Sequence, residues 1–341
     1  MNPLPIQRGV NFGFYARNGY YSTEKARIEV DRMRECNVSH VCVIATVLAE
    51  TFCSPRQYRD FKMTPADDEL REIIDYIHEK GMAVQLRPML ECWDGTQRCH
   101  INFPGRDHEI MPGKPITYAS RWFEGMIDRT LHYARLARRG GCEIFGIDSE
   151  IDRIVSYNDE WKRVVAAARS EYKGHVTSCH THAVNFINEL ERKDHWFYDL
   201  DSLCSSFYHA ASDGTPGTTK SQMMQKLEPV REMYRTIASM YGRPFYFGEI
   251  GCCAVAGATK LPYFWSNGGG YDGHEQARYL DVACEMFWNE PWWSGLYWWK
   301  WDEQNHRPQF HDDLAGDKGF TVWGKPAAKT MADWFGRKDR R

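Results

Sequence analysis

The amino-acid sequence predicts a single (β/α)8 barrel of the TIM type. Short β-rich runs alternate with amphipathic helical stretches eight times along the 341 residues, and a barrel of this kind takes about 250 residues or more. A doubly wound sheet usually carries a Gly-rich phosphate turn, but no GxGxxG follows the first strand and no P-loop occurs. No linker rich in Pro, Gly or Ser interrupts the chain, so we expect residues 1–341 to form one domain.

Each predicted strand is a short, mostly apolar run bounded by turn residues. The strands cover residues 9–14, 41–46, 83–88, 143–148, 175–179, 203–208, 244–249 and 295–299. The helices that follow run from about 22 to 36, 64 to 80, 118 to 138, 159 to 172, 185 to 192, 220 to 241 and 273 to 288, and a last one starts at 326. Ser22 is a plausible N-cap for the first helix, and Thr64 followed by Pro65 is one for the second.

Composition narrows the class of function. The net charge is −3 without a basic run, so a nucleic-acid partner has no electrostatic support. No run of about 18 apolar residues occurs, so no membrane span is expected. The 13 Trp, 18 Tyr and 17 Phe are unusual because many fall in predicted loops. Exposed aromatic rings suit a flat, partly apolar ligand such as a sugar ring.

The cysteines indicate reduced, buried thiols. There are 11, an odd number, and several lie inside apolar runs rather than at spacings typical of a disulfide framework. Residues 1–8 contain no apolar stretch of the signal-peptide kind. We therefore expect a cytoplasmic protein, or a secreted one if a signal peptide has been removed. The oligomeric state stays open.

Two glutamates follow strongly apolar strands. Glu150 comes just after the fourth predicted strand and Glu249 ends the seventh. The long predicted loops, 91–116 after strand three and 250–272 after strand seven, lie at the same C-terminal ends of the strands, which is where barrel active sites are built. Two carboxyls facing each other there suit double displacement at a sugar, in which they are about 5–5.5 Å apart. The alternative is a structural salt bridge with an arginine such as Arg87.

Four segments carry a resemblance to glycoside hydrolase family 113, within the clan A retaining glycosidases. They read GVN at 9–11, FGIDSE at 145–150, FGEIG at 247–251 and GLYWWKW at 295–301. The resemblance implies hydrolysis of β-1,4-mannosidic bonds in mannan or manno-oligosaccharides with retention and without a metal or other cofactor. Glu249 would be the nucleophile and Glu150 the acid/base. Ser149 stands where many clan members have Asn, which leaves recognition of the sugar 2-hydroxyl unassigned.

Tyr208 and Trp299 are the next candidates. Tyr208 closes the sixth predicted strand, and the resemblance implies a hydrogen bond from its hydroxyl to Glu249; the alternative is a tyrosine facing a helix. Trp298 and Trp299 alternate on the eighth predicted strand, so only one can face the interior. We choose Trp299 as the floor of the sugar site because Trp301 shares its parity, although both could simply pack.

Four further residues are candidates for substrate binding: Asn11, Arg87, His180 and Trp265. Asn11 and Arg87 could instead neutralise a carboxylate. His180 and His182 could chelate a metal from one face of a strand, but no third ligand is evident, which favours sugar binding or packing. A zinc site in the third loop is a weaker alternative, and its candidates are Cys92, Cys99, His100 and His108.

The rival functions are a β-glucan or other β-glycoside hydrolase on the same barrel and a non-catalytic sugar-binding barrel. The presence of both glutamates argues against the non-catalytic version. Because two close acids cannot easily ionise together, the resemblance also leads us to expect Glu150 to titrate above Glu249.

Overall fold

Eight parallel strands close into a barrel in the computed structural model, which describes residues 6–104, 111, 113–114, 116–265, 268–301, 309 and 316–338. The barrel strands are β1 (Gln7–Phe12), β2 (His40–Ala49), β4 (Ala83–Cys92), β5 (Ile144–Ser149), β6 (His175–Thr181), β7 (Ser202–Phe207), β8 (Phe245–Ile250) and β9 (Trp293–Trp301). They lie in chain order, and β1 pairs with both β9 and β2, which closes the ring. The predicted (β/α)8 barrel is thereby confirmed.

A ninth strand, β3 (Gln57–Tyr58), was not predicted. It pairs antiparallel to the end of β2, with Leu48 opposite Tyr58 and Ala49 opposite Gln57. The β2–β3 hairpin therefore adds a short strand that is not part of the ring of eight parallel strands.

The helices surround the barrel in the expected order. They are α1 (Glu24–Glu35), α2 (Asp67–Glu79), α3 (Tyr118–Arg139), α4 (Asn158–Glu171), α5 (Phe186–Glu191), α6 (Lys220–Tyr241), α7 (Gly273–Phe287) and α8 (Pro326–Phe335). Two predicted helix starts are wrong by a residue or more. Thr23, not Ser22, caps α1 by accepting a hydrogen bond from the Ala26 amide. The second helix, α2, begins at Asp67, two residues beyond Pro65.

Apolar side chains form two layers. The larger one fills the space between the strands and the helices, and a smaller cluster inside the barrel includes Cys42, Met89, Cys179, Cys204 and Tyr246. All eleven cysteines are free thiols, and nine of them are buried, as the sequence led us to expect. No helix in the described part of the chain has the length and apolar character needed to cross a membrane.

Candidate active site

Glu249 lies at the end of β8, buried at the mouth of the barrel. Its Oε1 accepts hydrogen bonds from the Ser149 hydroxyl at 2.8 Å and from Arg87 Nη1 at 3.3 Å, and its Oε2 accepts one from the Tyr208 hydroxyl at 3.3 Å. Three donors from three other strands of the barrel, or directly after them, therefore fix the direction of this carboxylate.

Gly248 lets β8 approach the barrel interior closely. A Cβ at this position would lie 2.7 Å from the sulfur atoms of both Cys179 and Cys204. Its carbonyl oxygen accepts hydrogen bonds from Asn11 Nδ2 at 3.0 Å and Arg87 Nη2 at 3.2 Å. Arg87 therefore bonds both to the Glu249 carboxylate and to the backbone carbonyl of the preceding residue. Asn11, predicted to bind sugar, is fully buried beneath the site, and its amide nitrogen donates to the carbonyl oxygens of Gly248 and Tyr297. Its contact with sugar stays a prediction.

Glu150 follows β5, the fourth barrel strand, and its backbone is left-handed with φ of 61°. A non-glycine residue adopts this conformation only at a cost, and such residues cluster at functional sites. The Glu150 amide donates a hydrogen bond to the Cys179 carbonyl at 2.9 Å, which ties this turn to β6. The glutamate side chain is thereby directed to the barrel mouth, where it meets Arg98.

Arg98 joins the two catalytic candidates, and the sequence did not identify it. It lies in a short turn after β4, with Nη2 3.1 Å from Glu150 Oε2 and 3.9 Å from Glu249 Oε1. Its Nη1 forms an ion pair with Glu91 at the end of β4, and its guanidinium lies over the Phe14 ring. Because one nitrogen contacts both carboxylates, their facing oxygens lie within about 7 Å of each other, a range that includes the separation typical of retaining glycosidases.

Burial raises the pKa of Glu249 to about 8, and the nearby charge of Glu150 acts in the same direction. Arg98, Arg87 and the Ser149 hydroxyl lower that pKa without cancelling the effect of burial. The two carboxylates together therefore keep one proton in neutral solution. The expected order of titration of the two glutamates stays a prediction; burial of Glu249 is the feature that the sequence could not reveal.

Trp299 is the tryptophan of β9 that packs against the cluster inside the barrel, and its ring meets the Phe14 ring edge-on with centroids 5.0 Å apart. Trp298 faces the helices, where its indole nitrogen donates to the Phe320 carbonyl at 2.8 Å. The expected shared parity with Trp301 is wrong, since the register between β1 and β9 shifts after Val10 and places Trp301 in the outer layer. The peptide bond between Trp299 and Lys300 is cis.

His180 is not brought to the carboxylate pair. Its Nδ1 lies 3.0 Å from Asp152 Oδ1 and its Nε2 lies 3.0 Å from the Ser178 hydroxyl, and the ring packs beside Trp196 and Phe197 in the outer layer. Both ring nitrogens therefore have partners within the protein, and the suggested sugar contact of His180 stays a prediction.

Trp265 lies in the loop after β8 with 72% of its surface exposed. Its suggested contact with substrate stays a prediction. Across the described ranges, no three His, Cys, Asp or Glu side chains are grouped as metal ligands would be. His108, part of the zinc alternative, lies outside the described residues.

Comparison with known proteins decides the family. The family model for Glycoside Hydrolase Family 113 matches residues 10–325. The chain belongs to this family. A family 113 member is a glycoside hydrolase, so the protein is an enzyme with a carbohydrate substrate, and the paired carboxylates lie where its fold builds active sites.

Solved structures from family 113 share the whole fold. A structure described as a complex of a GH113 beta-1,4-mannanase is 28% identical, covers 98% of this chain and 100% of its own, and has a TM-score of 0.81. The GH113 beta-mannanase AaManA from Alicyclobacillus acidocaldarius, in complex with ManMIm, is 26% identical with 98% of both chains covered and a TM-score of 0.83. A family 5 mannosidase from Rhizomucor miehei, 10% identical with a TM-score of 0.61, covers 98% of this chain and 94% of its own, and it shares the fold. No curated protein matches the chain.

Proposed function

We propose that the protein hydrolyses β-1,4-mannosidic bonds in mannan or manno-oligosaccharides by double displacement with retention of configuration. The observation that carries the proposal is the placement of Glu150 and Glu249 on opposite sides of the barrel mouth, both within reach of Arg98. The β-mannanases of family 113 that share the fold at 26–28% identity support the sugar class.

In the first step, Glu249 attacks the anomeric carbon while Glu150 donates a proton to the departing glycosidic oxygen. The carbon–oxygen bond to the leaving sugar breaks as the bond to the Glu249 carboxylate forms. For this to occur, the proton that burial places on Glu249 in the free enzyme must reside on Glu150 when substrate is bound. A glycosidic oxygen between the two groups offers Glu150 an acceptor, and attack requires Glu249 ionised.

In the second step, Glu150 acts as a base. It takes a proton from a water molecule, whose oxygen attacks the anomeric carbon and displaces Glu249 as a carboxylate. Ser149, Tyr208 and Arg87 donate hydrogen bonds to Glu249, so they stabilise the carboxylate each time it is released.

Arg98 and Trp299 have supporting roles. Arg98 is a positioning residue, because it holds Glu150 and Glu91 through separate nitrogens of one planar guanidinium. Trp299 lies beside Phe14 at the interior end of β9 and offers an apolar face to a pyranose ring bound between the carboxylates.

Product analysis over mannose-, glucose- and xylose-based β-linked oligosaccharides tests the sugar class. We expect cleavage of the mannose series, with the newly formed end appearing first as the β-anomer in proton NMR. An α-anomer as the first product would contradict double displacement, and preferential cleavage of the glucose series would replace mannan with glucan.

Two alanine variants test the roles of the glutamates. Glu249→Ala should lose turnover of every substrate because no covalent intermediate can form. Glu150→Ala should lose mannan but still react with an aryl mannoside that has an acidic phenol, and azide should restore turnover and yield a β-glycosyl azide. Glu124→Ala, an exposed carboxylate on α3, is the control. Wild-type hydrolysis by both active-site variants would reduce the pair to a structural salt bridge.

A further inference from the structure

Two histidines that the double displacement does not use lie together at the mouth of the barrel. His182 directly follows β6 and His209 comes two residues after β7, and their ring centroids are 4.9 Å apart with the planes tilted by 56°. Because β6 ends at Thr181, strand alternation no longer decides the direction of the His182 side chain. In the ring of strands, β6 and β7 lie between the strands that end at Glu150 and Glu249.

His182 is joined to the turn that carries the acid/base. The Glu150 amide donates to the Cys179 carbonyl at 2.9 Å, and the Thr181 amide donates to Asp152 Oδ2 at 3.1 Å. These two hydrogen bonds connect the turn after β5 to the end of β6, and His182 is the next residue along the chain. The backbone therefore places His182 beside Glu150.

His209 is fixed against the wall of the barrel. It follows Tyr208, whose hydroxyl donates to Glu249. Its Nε2 lies 3.2 Å from the Tyr234 hydroxyl, which in turn lies 2.9 Å from the Ser205 hydroxyl. Burial and the neighbouring histidine lower the pKa of His209 to about 4, so its ring is uncharged at neutral pH. His209 therefore offers a rigid, neutral surface to the other ring.

His182 has unused capacity for hydrogen bonds. Its side chain is exposed, and neither ring nitrogen has a hydrogen-bond partner in the part of the chain that the structure describes. Desolvation lowers its pKa, and the charges of Glu150 and Asp152 only partly oppose this. The neutral imidazole presents one donor and one acceptor. A sugar hydroxyl matches both, whereas an anion would be repelled by the two acidic neighbours.

The part of the substrate that His182 meets follows from the chemistry of Glu150. This step rests on the proposed function, in which Glu150 protonates the oxygen of the departing sugar. The unit that becomes bonded to Glu249 lies between the two carboxylates, and the departing unit lies beyond the glycosidic oxygen, next to the acid/base. We propose that His182, with its ring supported by His209, binds a hydroxyl of the departing mannose unit and so favours substrates that have a sugar on the leaving side.

Two substrates separate this role from a structural one. A manno-oligosaccharide has a sugar on the leaving side, and an aryl mannoside with an acidic phenol has none there. His182→Phe keeps a ring against His209 and removes the hydrogen bond. The ratio of kcat/KM on the oligosaccharide to kcat/KM on the aryl mannoside should therefore fall about three- to tenfold. His182→Gln keeps a donor and an acceptor and should recover much of that ratio.

His78→Phe is the matched control. His78 lies in the last turn of α2, with Nε2 3.2 Å from Glu143 Oε2 just before β5, at the opposite end of that strand from Glu150. Its ratio should stay at the wild-type value, and thermal unfolding checks that each variant is folded. A measurement that needs no change at His182 uses crystals of Glu249→Ala with a manno-oligosaccharide. A hydroxyl of the leaving-side unit should lie about 3 Å from a ring nitrogen of His182.

Two results would overturn this role and leave the proposed function intact. One is an equal loss on both substrates in His182→Phe, and the other is a bound oligosaccharide whose leaving-side unit does not reach His182. A wild-type enzyme that cleaves neither substrate would instead refute the proposed function, and the role of His182 would fall with it.

Discussion

Replacing Arg98 with Met should move the alkaline limb of the kcat/KM profile to higher pH. Arg98 Nη2 lies 3.9 Å from Glu249 Oε1, its side chain is buried, and its charge lowers the pKa of Glu249. Without this cation the pKa of Glu249 rises above its present value of about 8, so the carboxylate pair keeps its shared proton to higher pH.

The size of the change follows from the distance. An opposite charge within about 4–6 Å changes a carboxyl pKa by about 1–3 pH units. Arg87 stays 3.3 Å from the same oxygen and continues to favour its charged form. We therefore expect the lower end of that range, about one pH unit, which corresponds to about 1.4 kcal/mol.

The assay is kcat/KM on a soluble manno-oligosaccharide across the neutral and alkaline range, with circular dichroism at each pH to confirm folding. Arg98→Lys keeps the charge, so its limb should stay near the wild-type position even where kcat falls. Arg121→Met, on the exposed face of α3, is the control for loss of an arginine. An unchanged limb in Arg98→Met, or the same displacement in Arg98→Lys, would refute the electrostatic role.

Three other substitutions test the surroundings of Glu249. Tyr208→Phe removes the donor to Glu249 Oε2 and should lower kcat/KM about tenfold in steady-state kinetics. Gly251→Ala would place a Cβ 1.9 Å from the Trp299 carbonyl oxygen and should cost about 1–3 kcal/mol in urea unfolding. Glu249→Gln should flatten the pH dependence of unfolding. Because the folded pKa of Glu249, about 8, exceeds the ordinary 4.5, the wild type loses up to about 1.4 kcal/mol per pH unit as pH rises between them, and an unchanged slope in the variant would contradict the raised pKa.

The barrel could be predicted because each strand is an apolar run of adequate length between turn residues. The β3 strand could not, since Gln57 and Tyr58 form a two-residue strand with no periodicity to detect. The exact start of α1 could not be predicted because Ser22 and Thr23 are both suitable N-cap residues. Thr23 is the cap in the folded protein, where contacts beyond the local sequence decide between the two.

The glutamates of the site could be predicted because strand ends in a barrel converge on one face. The position of His180 could not be predicted because alternation gives the period of β6 but not its phase, and Cys179 rather than His180 faces the interior. Arg98 was missed because it lies in a long loop whose conformation depends on contacts with Glu91 and Glu150. Glu91, an acid at the end of an apolar strand, was the available signal that a cation had to be nearby.

The unfavourable features of this fold coincide with the residues that its chemistry needs. Glu150 has a left-handed backbone, and Glu249 is buried so fully that its pKa rises to about 8. Neither feature stabilises the protein. The Cys179 carbonyl on β6 holds the Glu150 turn, and Arg87 positions Glu249 while lowering its pKa without cancelling the effect of burial. A structural salt bridge would gain nothing from a protonated partner, whereas double displacement requires one proton on the pair. The buried placement of Glu249, with Glu150 facing it across Arg98, and the direction in which burial moves the pKa of Glu249 together favour the catalytic interpretation over the structural one.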